Sequence, residues 1–450
     1  MSPFRKQDRF LLLIGDIVVF YLSLWIVLTL RYAHIPSDAF WNTLIIPFTI
    51  LFAVWCLVFF IAGLYEKRTT ILNRRLARVI FSAQIANILV AIVFFYFIPY
   101  YGITPKTTLF IYLIVSLILI SLWRIYGTAI FGFGRKQQAL IIASGEEMKE
   151  LIEEVNTHDR YNLRFASLVD LDAIGGVNFE EEVVKPMSAD AISIIAVDFK
   201  NEKAEPILPH LYDLIFDNVI FIDMYKIYED VFDRIPLSLI SYPWFLENIS
   251  LAPKKSYDIM KRLMDIVVAT VAGLVSLVFY PFIIAAIKLD DGGPVFIHQI
   301  RVGKADRPIH IVKFRTMSAN DNGVYAEGKS ENRITRVGAF LRRSRLDELP
   351  QLWRVIVGDL SLIGPRPEFP SLVAQYEKQI SYYGIRHLIK PGLSGWAQIY
   401  HDNHPHHAVA VLETKEKLSY DLFYLKNRSF WLDITIGLKT ISKLLSRSGA

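Results

Sequence analysis

The chain reads RRSRLDELPQLWRVIVGDLSLIGPRP from Arg342 to Pro367, and this stretch brings cations, an adjacent pair of carboxylates and a rigid turn together. Arginine holds two phosphate oxygens through its planar fork, and paired carboxylates among cations suit a divalent ion. An activated aspartate can also attack phosphorus. Arg366 stands between Pro365 and Pro367, which restrict the backbone of the turn that carries it. These residues alone leave open a phosphate site and a solvated helix face with i,i+4 ion pairs.

Four motifs, in the same order, give the chain a resemblance to a known family. They are KFRTM at Lys313–Met317, DELPQLW at Asp347–Trp353, GDLSLIGPRP at Gly358–Pro367 and KPGLSGWAQI at Lys390–Ile399. The C-terminal part of the chain thereby resembles the bacterial polyprenyl-phosphate sugar-1-phosphate transferases. The resemblance implies transfer of a sugar 1-phosphate from a nucleotide sugar, usually a UDP-hexose, to polyprenyl (undecaprenyl) phosphate. This reaction releases UMP and begins the synthesis of a cell-surface polysaccharide.

The resemblance also assigns roles to residues. Asp347 is expected to attack the phosphate attached to the sugar, which leaves a covalent phosphosugar-aspartyl enzyme, and Glu348 to orient a metal or assist the acceptor. Both carboxylates are expected to bind Mg²⁺, which prefers oxygen ligands and substrate phosphates. Five cationic side chains are expected to border the site and bind phosphate: Arg342 and Arg366, which match family arginines, and Lys313, Arg315 and Arg301.

Two other functions remain open for the same acid pair. A metal-dependent phosphohydrolase acting on lipid phosphates would use water as the nucleophile, but the sequence shows no His-rich or Asp-rich two-metal set. A membrane scaffold for polysaccharide assembly would retain an inactive transferase domain, although an intact Asp347-Glu348 pair counts against that interpretation. Release of nucleotide with and without polyprenyl phosphate separates all three functions.

The composition predicts a membrane protein of more than one domain. Its 450 residues exceed one ordinary domain, and 53% of them are hydrophobic. The mean hydropathy of +0.34 is also well above that of a soluble protein. The single cysteine, Cys56, lies in an apolar run, so no disulfide is expected within one chain. A net charge of +5 suits anionic lipid and phosphate, and without a nucleic-acid motif no nucleic-acid partner is expected.

Residues 1–132 predict an α-helical bundle of four transmembrane helices. Their apolar runs approach the ~20 residues that a bilayer requires and lie at Phe10–Leu30, Thr43–Gly63, Val79–Ile98 and Thr108–Ile130. The first run is too long for a signal peptide and contains Asp16. Basic residues before it and between the second and third runs place both ends of the bundle in the cytoplasm, in a bacterial inner membrane. Arg124 is expected to face the bundle or snorkel, with an ion pathway as the alternative.

Residues 137–250 predict a parallel α/β domain. Short apolar strands at Gln138–Ala143, Ile192–Val197 and Asn218–Asp223 alternate with helical stretches. The first strand is followed by Ser-Gly-Glu-Glu at 144–147 instead of a glycine-rich turn, and two glutamates there would repel a phosphate. We therefore expect a degenerate Rossmann-like domain with a structural or regulatory role, as in the long members of the resembled family. Binding of a dinucleotide is the alternative.

Residues 255–450 predict an α+β catalytic domain that starts with the apolar run Leu263–Ile287. Cationic residues on both sides of this run make both flanks cytoplasmic. Pro281 removes a backbone hydrogen bond inside the run, and Ser276 lies near enough to satisfy a freed carbonyl. We expect a re-entrant membrane helix at about 259–288, as in the resembled family, with the catalytic motifs left on the cytoplasmic face. A kinked fifth span is the alternative.

The remaining features are weaker signals. The polar insertion Asn320–Glu331 is expected to move and close over the substrate. Trp396 suits either the membrane interface or the core. The tail Trp431–Arg447 is typical of a basic amphipathic helix that lies on the membrane. Assembly of the chain as a homodimer is left open by the sequence. Four histidines resemble a metal cluster but lack zinc-site spacing: His401, His404, His406 and His407.

Overall fold

The computed structural model describes residues 7–32, 35, 38–65, 73–97, 106–124, 136–158, 161, 163–172, 183–185, 192–217, 219–249, 255–318, 333–400 and 411–445. The chain divides into two compact units, Met1–Phe232 and Asp233–Ala450. The predicted mobile insertion and the four histidines at 401–407 lie outside the described residues.

The first unit begins with four helices, α1 (Gln7–Tyr32), α2 (Asp38–Ile61), α3 (Asn73–Phe97) and α4 (Lys106–Leu122). Three segments are long and apolar enough to cross a membrane, at Leu11–Tyr32, Leu44–Ile61 and Val79–Phe97. The fourth predicted span is represented by a shorter apolar helix, Thr108–Leu122. Because no lipid-exposed backbone group can remain unpaired in a bilayer, apolar runs of this length form helices. The described residues thus contain three apolar helices of spanning length.

One buried ion pair joins the interior of α1 to the segment just after α4. The Arg124 guanidinium donates from Nε to Asp16 Oδ1 at 3.2 Å and from Nη2 to Asp16 Oδ2 at 2.5 Å. Its Nη1 also donates to the carbonyl of Leu64 at 2.8 Å. The prediction that Arg124 faces the bundle is confirmed. Removing one partner of a buried pair generally costs ~3–5 kcal/mol, so this contact constrains how the helices pack.

The first unit continues with an entirely parallel four-stranded sheet in the order β2-β1-β3-β4. The strands are β1 (Gln137–Ala143), β2 (Leu163–Asp170), β3 (Ile194–Val197) and β4 (Ile220–Asp223), and α5 (Glu146–Thr157), α6 (Leu208–Asp213) and α7 (Met224–Phe232) accompany them. Each face of the sheet has its own buried cluster, which explains why β3 is apolar throughout. The predicted α/β region is therefore present.

The second unit takes in the residues just after α7. Ile235 and Trp244, the latter in α8 (Tyr242–Asn248), belong to a buried cluster with Phe369 and Leu418. The backbone N–H of Ile235 also donates to the carbonyl of Ser419 at 3.1 Å. The second unit therefore begins at Asp233, inside the range 137–250 expected for the middle domain, and it includes the buried side chains of Ile235 and Trp244.

A bent helix pair follows, α9 (Lys255–Leu277) and α10 (Tyr280–Asp291), with a 55° bend between its halves. Pro281 lies in the first turn of α10, where a missing N–H costs least. The Ser276 hydroxyl donates to the backbone carbonyl of Gly273 at 2.6 Å. The Phe279 N–H donates to the backbone carbonyl of Ser276 at 2.9 Å. These bonds satisfy backbone groups next to the break.

Two small sheets and several helices complete the second unit. An antiparallel hairpin pairs β5 (Phe296–Val302) with β6 (Pro308–Phe314), and two short parallel strands pair β7 (Ser361–Ile363) with β8 (Gly392–Ser394). Trp396 is buried and its indole N–H donates to the Asp233 carbonyl at 2.8 Å, so it lies in the core. The helices are α11 (Arg336–Ser344), α12 (Gln351–Val357), α13 (Pro370–Gln379), α14 (Trp396–Tyr400), α15 (Val411–Asn427) and α16 (Phe430–Leu445).

Candidate active site

The acid pair lies in a single 3₁₀ turn, Leu346–Glu348, between α11 and α12. Arg345 ends α11 in the left-handed region at φ 58°, which reverses the chain direction. Pro350 then caps α12, because proline suits the start of a helix and cannot continue the preceding one. This turn packs against β6 and directs both carboxylates toward residues from distant parts of the sequence.

Glu348 is held by two cations from the predicted set. Lys313, in β6, donates from Nζ to Glu348 Oε1 at 2.7 Å, and Arg366 donates from Nη2 to the same oxygen at 3.3 Å. Burial alone would raise the pKa of Glu348, but the Lys313 ammonium and the Arg366 guanidinium outweigh it and hold that pKa well below its usual range. Glu348 is therefore a fixed anion that positions both cations.

Asp347 differs from its neighbour. It is 8% exposed, and its Oδ1 is buried with no hydrogen-bond partner among the described residues. Burial raises the pKa of Asp347 to about 6, and the Glu348 carboxylate acts in the same direction. An unpartnered buried acceptor generally costs ~1–3 kcal/mol, so this carboxylate is maintained at the expense of stability. Such a group is available to attack a substrate or to bind a metal.

The Pro-Arg-Pro turn is held in position by a contact from the side chain of Arg386. Arg386 is buried; its guanidinium donates to the backbone carbonyl of Arg366 at 3.1 Å and pairs with Asp421 at 2.9 Å. It also donates to the hydroxyl of Tyr383. A Cβ at Gly364 would lie 2.5 Å from the Lys390 carbonyl oxygen, which explains the glycine before the turn. Sequence reasoning missed this support, because its parts are far apart along the chain.

The apolar helix α9 is attached to the same motifs. Arg262 donates to the carbonyls of Val355 and Ile356, both at 2.7 Å, at the end of α12. The Asp265 carboxylate accepts from the Ser361 hydroxyl at 2.8 Å and from the Leu362 N–H at 3.1 Å. Sequence reasoning treated Arg262 only as a flanking charge and passed over Asp265. A carboxylate inside an apolar run was the signal for such a role.

The remaining predicted phosphate ligands fall into two groups. Arg301 lines a cavity of about 20 Å³ together with Lys313, Glu348 and Arg366, and its charge lies 3.3 Å from the Phe369 ring centroid. Arg342 donates to the Thr316 hydroxyl at 2.8 Å, and its charge stabilises ionised Asp347. The structure does not bring Arg315 to the acid pair. Its guanidinium is already bound to the Asp291 carboxylate and to the carbonyl of Pro294.

The oxygen ligands of the acid pair fit a divalent cation. Asp347 Oδ1 is a buried oxygen donor without a hydrogen-bond partner, and Mg²⁺ is bound in proteins through one or two carboxylates plus substrate phosphates. Asp306, Glu377 and His387 form another group that could hold a metal ion, with ligand atoms within 4.8 Å of one another. There, His387 Nδ1 lies 2.6 Å from Asp306 Oδ1, a hydrogen-bond contact between two 3₁₀ turns, Lys304–Asp306 and Tyr383–Leu388.

Residues 256–447 match the family described as bacterial sugar transferase. One similar protein is the UDP-N-acetylgalactosamine-undecaprenyl-phosphate N-acetylgalactosaminephosphotransferase of Aeromonas hydrophila, 43% identical over 206 residues, or 45% of this chain and 47% of the relative. Two others are called UDP-glucose:undecaprenyl-phosphate glucose-1-phosphate transferase. That of Xanthomonas campestris pv. campestris is 39% identical over 201 residues, 43% of this chain and 40% of the relative. That of Caulobacter vibrioides is 35% identical over 203 residues, 44% of this chain and 74% of the relative. The chain thus spans less than half the length of the first two.

Proposed function

The chain belongs to the bacterial sugar transferase family, and on that premise we propose that it transfers a sugar 1-phosphate from a nucleotide sugar to polyprenyl phosphate. The names of its relatives point to a UDP-sugar as donor, for which we propose a UDP-hexose, and to undecaprenyl phosphate as acceptor. The products are a polyprenyl-diphospho-sugar and UMP, in the first step of cell-surface polysaccharide synthesis. The observation that carries the proposal is the buried Asp347 Oδ1, which has no hydrogen-bond partner among the described residues, beside a Glu348 held by two cations.

The first half of the reaction uses Asp347 as nucleophile. A carboxylate oxygen of Asp347 forms a bond to the phosphorus attached to the sugar, and the bridging P–O bond of the diphosphate breaks. UMP leaves with the electron pair of that bond, and the sugar phosphate stays on Asp347 as an acyl phosphate. Arg366 and Lys313 stabilise the charge that moves onto the phosphate oxygens, which is the main contribution a protein makes to phosphoryl transfer.

The second half returns the enzyme to its starting state. An oxygen of the acceptor phosphate attacks the same phosphorus, a new diphosphate bond forms, and Asp347 leaves as a carboxylate. Glu348 keeps Lys313 and Arg366 in place through both halves, because its pKa stays low and its charge does not change. A Mg²⁺ ion held by Asp347 and Glu348 would supply a further positive charge for the substrate phosphates.

The proposed reaction also implies a location. Nucleotide sugars are charged and do not cross a bilayer unaided, so the acid pair belongs on the cytoplasmic face of the inner membrane. We propose that α1 to α4 form four spans, that the α/β region is Rossmann-like, and that α9 and α10 enter the bilayer and return. The bend at Pro281 and the bonds from Arg262 and Asp265 to the catalytic motifs support a re-entrant helix. Assembly as a homodimer is also proposed.

The test is release of UMP from a panel of UDP-sugars by the purified full-length protein, with and without undecaprenyl phosphate. Asp347→Asn should lower release by at least about a thousandfold, because an amide is a very poor nucleophile toward phosphorus. Asp359→Asn is the matched control, since that carboxylate is partly exposed and pairs with Arg354, at 3.4 Å, away from the acid pair. Mass spectrometry should detect a phosphosugar on Asp347 when the acceptor is omitted.

Three outcomes would contradict the proposal. Normal turnover by Asp347→Asn would remove that residue from the mechanism. Release of inorganic phosphate from the polyprenyl phosphate would point to a phosphohydrolase. A wild-type protein that releases no nucleotide from any donor, with or without acceptor, would point to a scaffold.

A further inference from the structure

We propose that the cavity between α12, β8 and α16, named here the α16 cavity, receives the prenyl units next to the phosphate of the acceptor lipid. This inference rests on the proposed function and assigns the acceptor its own part of the site. The cavity has a volume of about 210 Å³ and lies beside the acid pair. Glu348 and Arg366 form part of its wall, so its inner end is at the proposed catalytic centre.

The lining of the α16 cavity suits a branched hydrocarbon chain. Most of its wall surface is apolar, although eight lining residues have polar or charged side chains. No aromatic side chain is among the described residues that line it, so a nucleotide base would find no ring on which to stack. A prenyl chain, in contrast, gains ~0.8 kcal/mol for each buried CH₂ group. The aliphatic lining residues are Leu349, Leu352, Leu393, Ile399 and Leu444.

The charges of the α16 cavity are placed for a phosphate at its inner end. Arg343 and Arg345 line the cavity together with Arg366, and guanidinium groups bind phosphate oxygens through paired N–H donors. In an in-line displacement, the acceptor phosphate attacks from the side that UMP has left. Donor and acceptor phosphates therefore occupy the same cationic region in turn, and only the groups beyond the phosphates need separate space.

The outer end of the α16 cavity opens where α16 is apolar. Leu444 lines the cavity and is nevertheless 50% exposed, and Ile441 and Trp431 are also exposed along the same helix. This part of α16 is fixed against α14, because the Lys443 ammonium donates to the backbone carbonyls of Gln398 and Ile399, each at 3.1 Å. The cavity thus connects an apolar helix surface with a phosphate-binding centre, which is the path that a membrane lipid with a phosphate head group needs.

The experiment narrows the α16 cavity without changing the acid pair. Leu444→Trp adds volume at a partly exposed position, so the core need not be repacked. Leu412→Trp, on α15, is the matched control, because Leu412 is 82% exposed and does not line the cavity. The purified full-length variants are assayed in detergent with undecaprenyl phosphate and with a short two-unit prenyl phosphate, and the KM of donor and acceptor are determined separately.

We expect Leu444→Trp to raise the KM for both acceptors by about tenfold, the equivalent of ~1.4 kcal/mol, with an unchanged donor KM and unchanged UMP release without acceptor. A higher donor KM with an unchanged acceptor KM would assign the cavity to the nucleotide sugar and overturn the inference. So would an effect on the long acceptor alone, which indicates a general lipid contact, or no effect on either. A wild-type protein that releases no UMP would refute the proposed function instead.

Discussion

Asp347 and Glu348 are adjacent in sequence, yet their surroundings shift their pKa values in opposite directions. Glu348 accepts hydrogen bonds from Lys313 and Arg366, which favour its charged form. Asp347 has no such partner among the described residues, so desolvation dominates. A pair of titratable groups with diverging pKa values is typical of a catalytic site in which each has a different role. In the proposed mechanism, Glu348 organises the cations and Asp347 reacts.

The raised pKa of Asp347 predicts that the activity falls at low pH. Asp347 attacks only when ionised, so kcat/KM for the donor should rise with pH and reach half its maximum near the free-enzyme pKa of about 6. Arg342→Gln should move this midpoint to higher pH, because the Arg342 charge favours the ionised form. The pH profile of both proteins, measured at low donor concentration, checks this. If kcat/KM does not change with pH around 6, the pKa of Asp347 that governs the reaction lies at another pH.

Arg386 should act as a positioning residue through the backbone of Arg366. Arg386→Lys keeps the positive charge but loses the planar guanidinium group, which contacts Asp421, Tyr383 and the Arg366 carbonyl at the same time. A small displacement of Arg366 should lower kcat by roughly ten- to a hundredfold while the donor KM changes little.

The control for this prediction is Arg354→Lys, which alters a partly exposed ion pair with Asp359. Exposed pairs contribute ~0–1 kcal/mol, so its kcat should match the wild type. If Arg386→Lys lowers thermal stability but the folded fraction turns over normally, then the Arg386 contact is only structural.

At the scale of elements, the proposed re-entrant helix α9 would connect the membrane with the motifs of the second unit, because two of its side chains bind them. Arg262 binds the carbonyl end of α12, which begins just after the acid pair, and Asp265 binds the strand that leads into the Pro-Arg-Pro turn. The break before α10 turns the chain by 55°. In the proposed re-entrant arrangement, the depth of α9 in the bilayer would set the position of the acid pair relative to the lipid head groups.

The re-entrant arrangement predicts that both flanks of the bent pair are cytoplasmic. Single cysteines replace the exposed Asp258 and Lys304 in a Cys56→Ser background, and intact cells are treated with a membrane-impermeant thiol reagent. Neither should react until the membrane is opened, because each flank stays on the inner side.

A cysteine at Ile35, between α1 and α2, is the positive control and should react in intact cells. Labelling of the Lys304 position alone in intact cells would show that the pair spans the bilayer. The acid pair would then be on the wrong side for a cytoplasmic nucleotide sugar.

At the scale of the whole molecule, the parallel sheet has a switch point between β1 and β3, where open α/β sheets bind ligands. Protein side chains already occupy its carboxyl edge. Asn201 donates to the Ser144 hydroxyl at 2.9 Å, and the Tyr225 hydroxyl donates to Asp198 at 3.0 Å. These contacts and the glutamates that start α5 leave little place for a pyrophosphate.

We therefore expect the purified protein to bind neither NAD nor NADP tightly. Calorimetry with each dinucleotide checks this, with a UDP-sugar as the positive control for the second unit. Micromolar affinity, or stoichiometric cofactor in the preparation, would show that the sheet edge opens to admit a ligand.

The sequence by itself determined the features that depend on local chemistry. Long apolar runs predicted the membrane helices, since unpaired backbone groups are too costly in lipid. Pro281 predicted the break in the helix, because proline has no backbone N–H to donate and its ring clashes with the preceding helical turn. The acid pair and the Pro-Arg-Pro turn were likewise recognisable from neighbouring residues.

Only the tertiary structure decided which cations serve the acid pair. Lys313 and Arg315 stand two residues apart in one motif, yet Lys313 contacts Glu348 while Arg315 is bound to Asp291 at the end of α10. No pattern around either residue separates them, because each is assigned by a partner far away in the sequence. The bracing of Arg366 by Arg386 and the packing of Ile235 in the second unit have the same origin. Long-range electrostatics and burial depend on how the elements assemble, and local sequence does not contain that information.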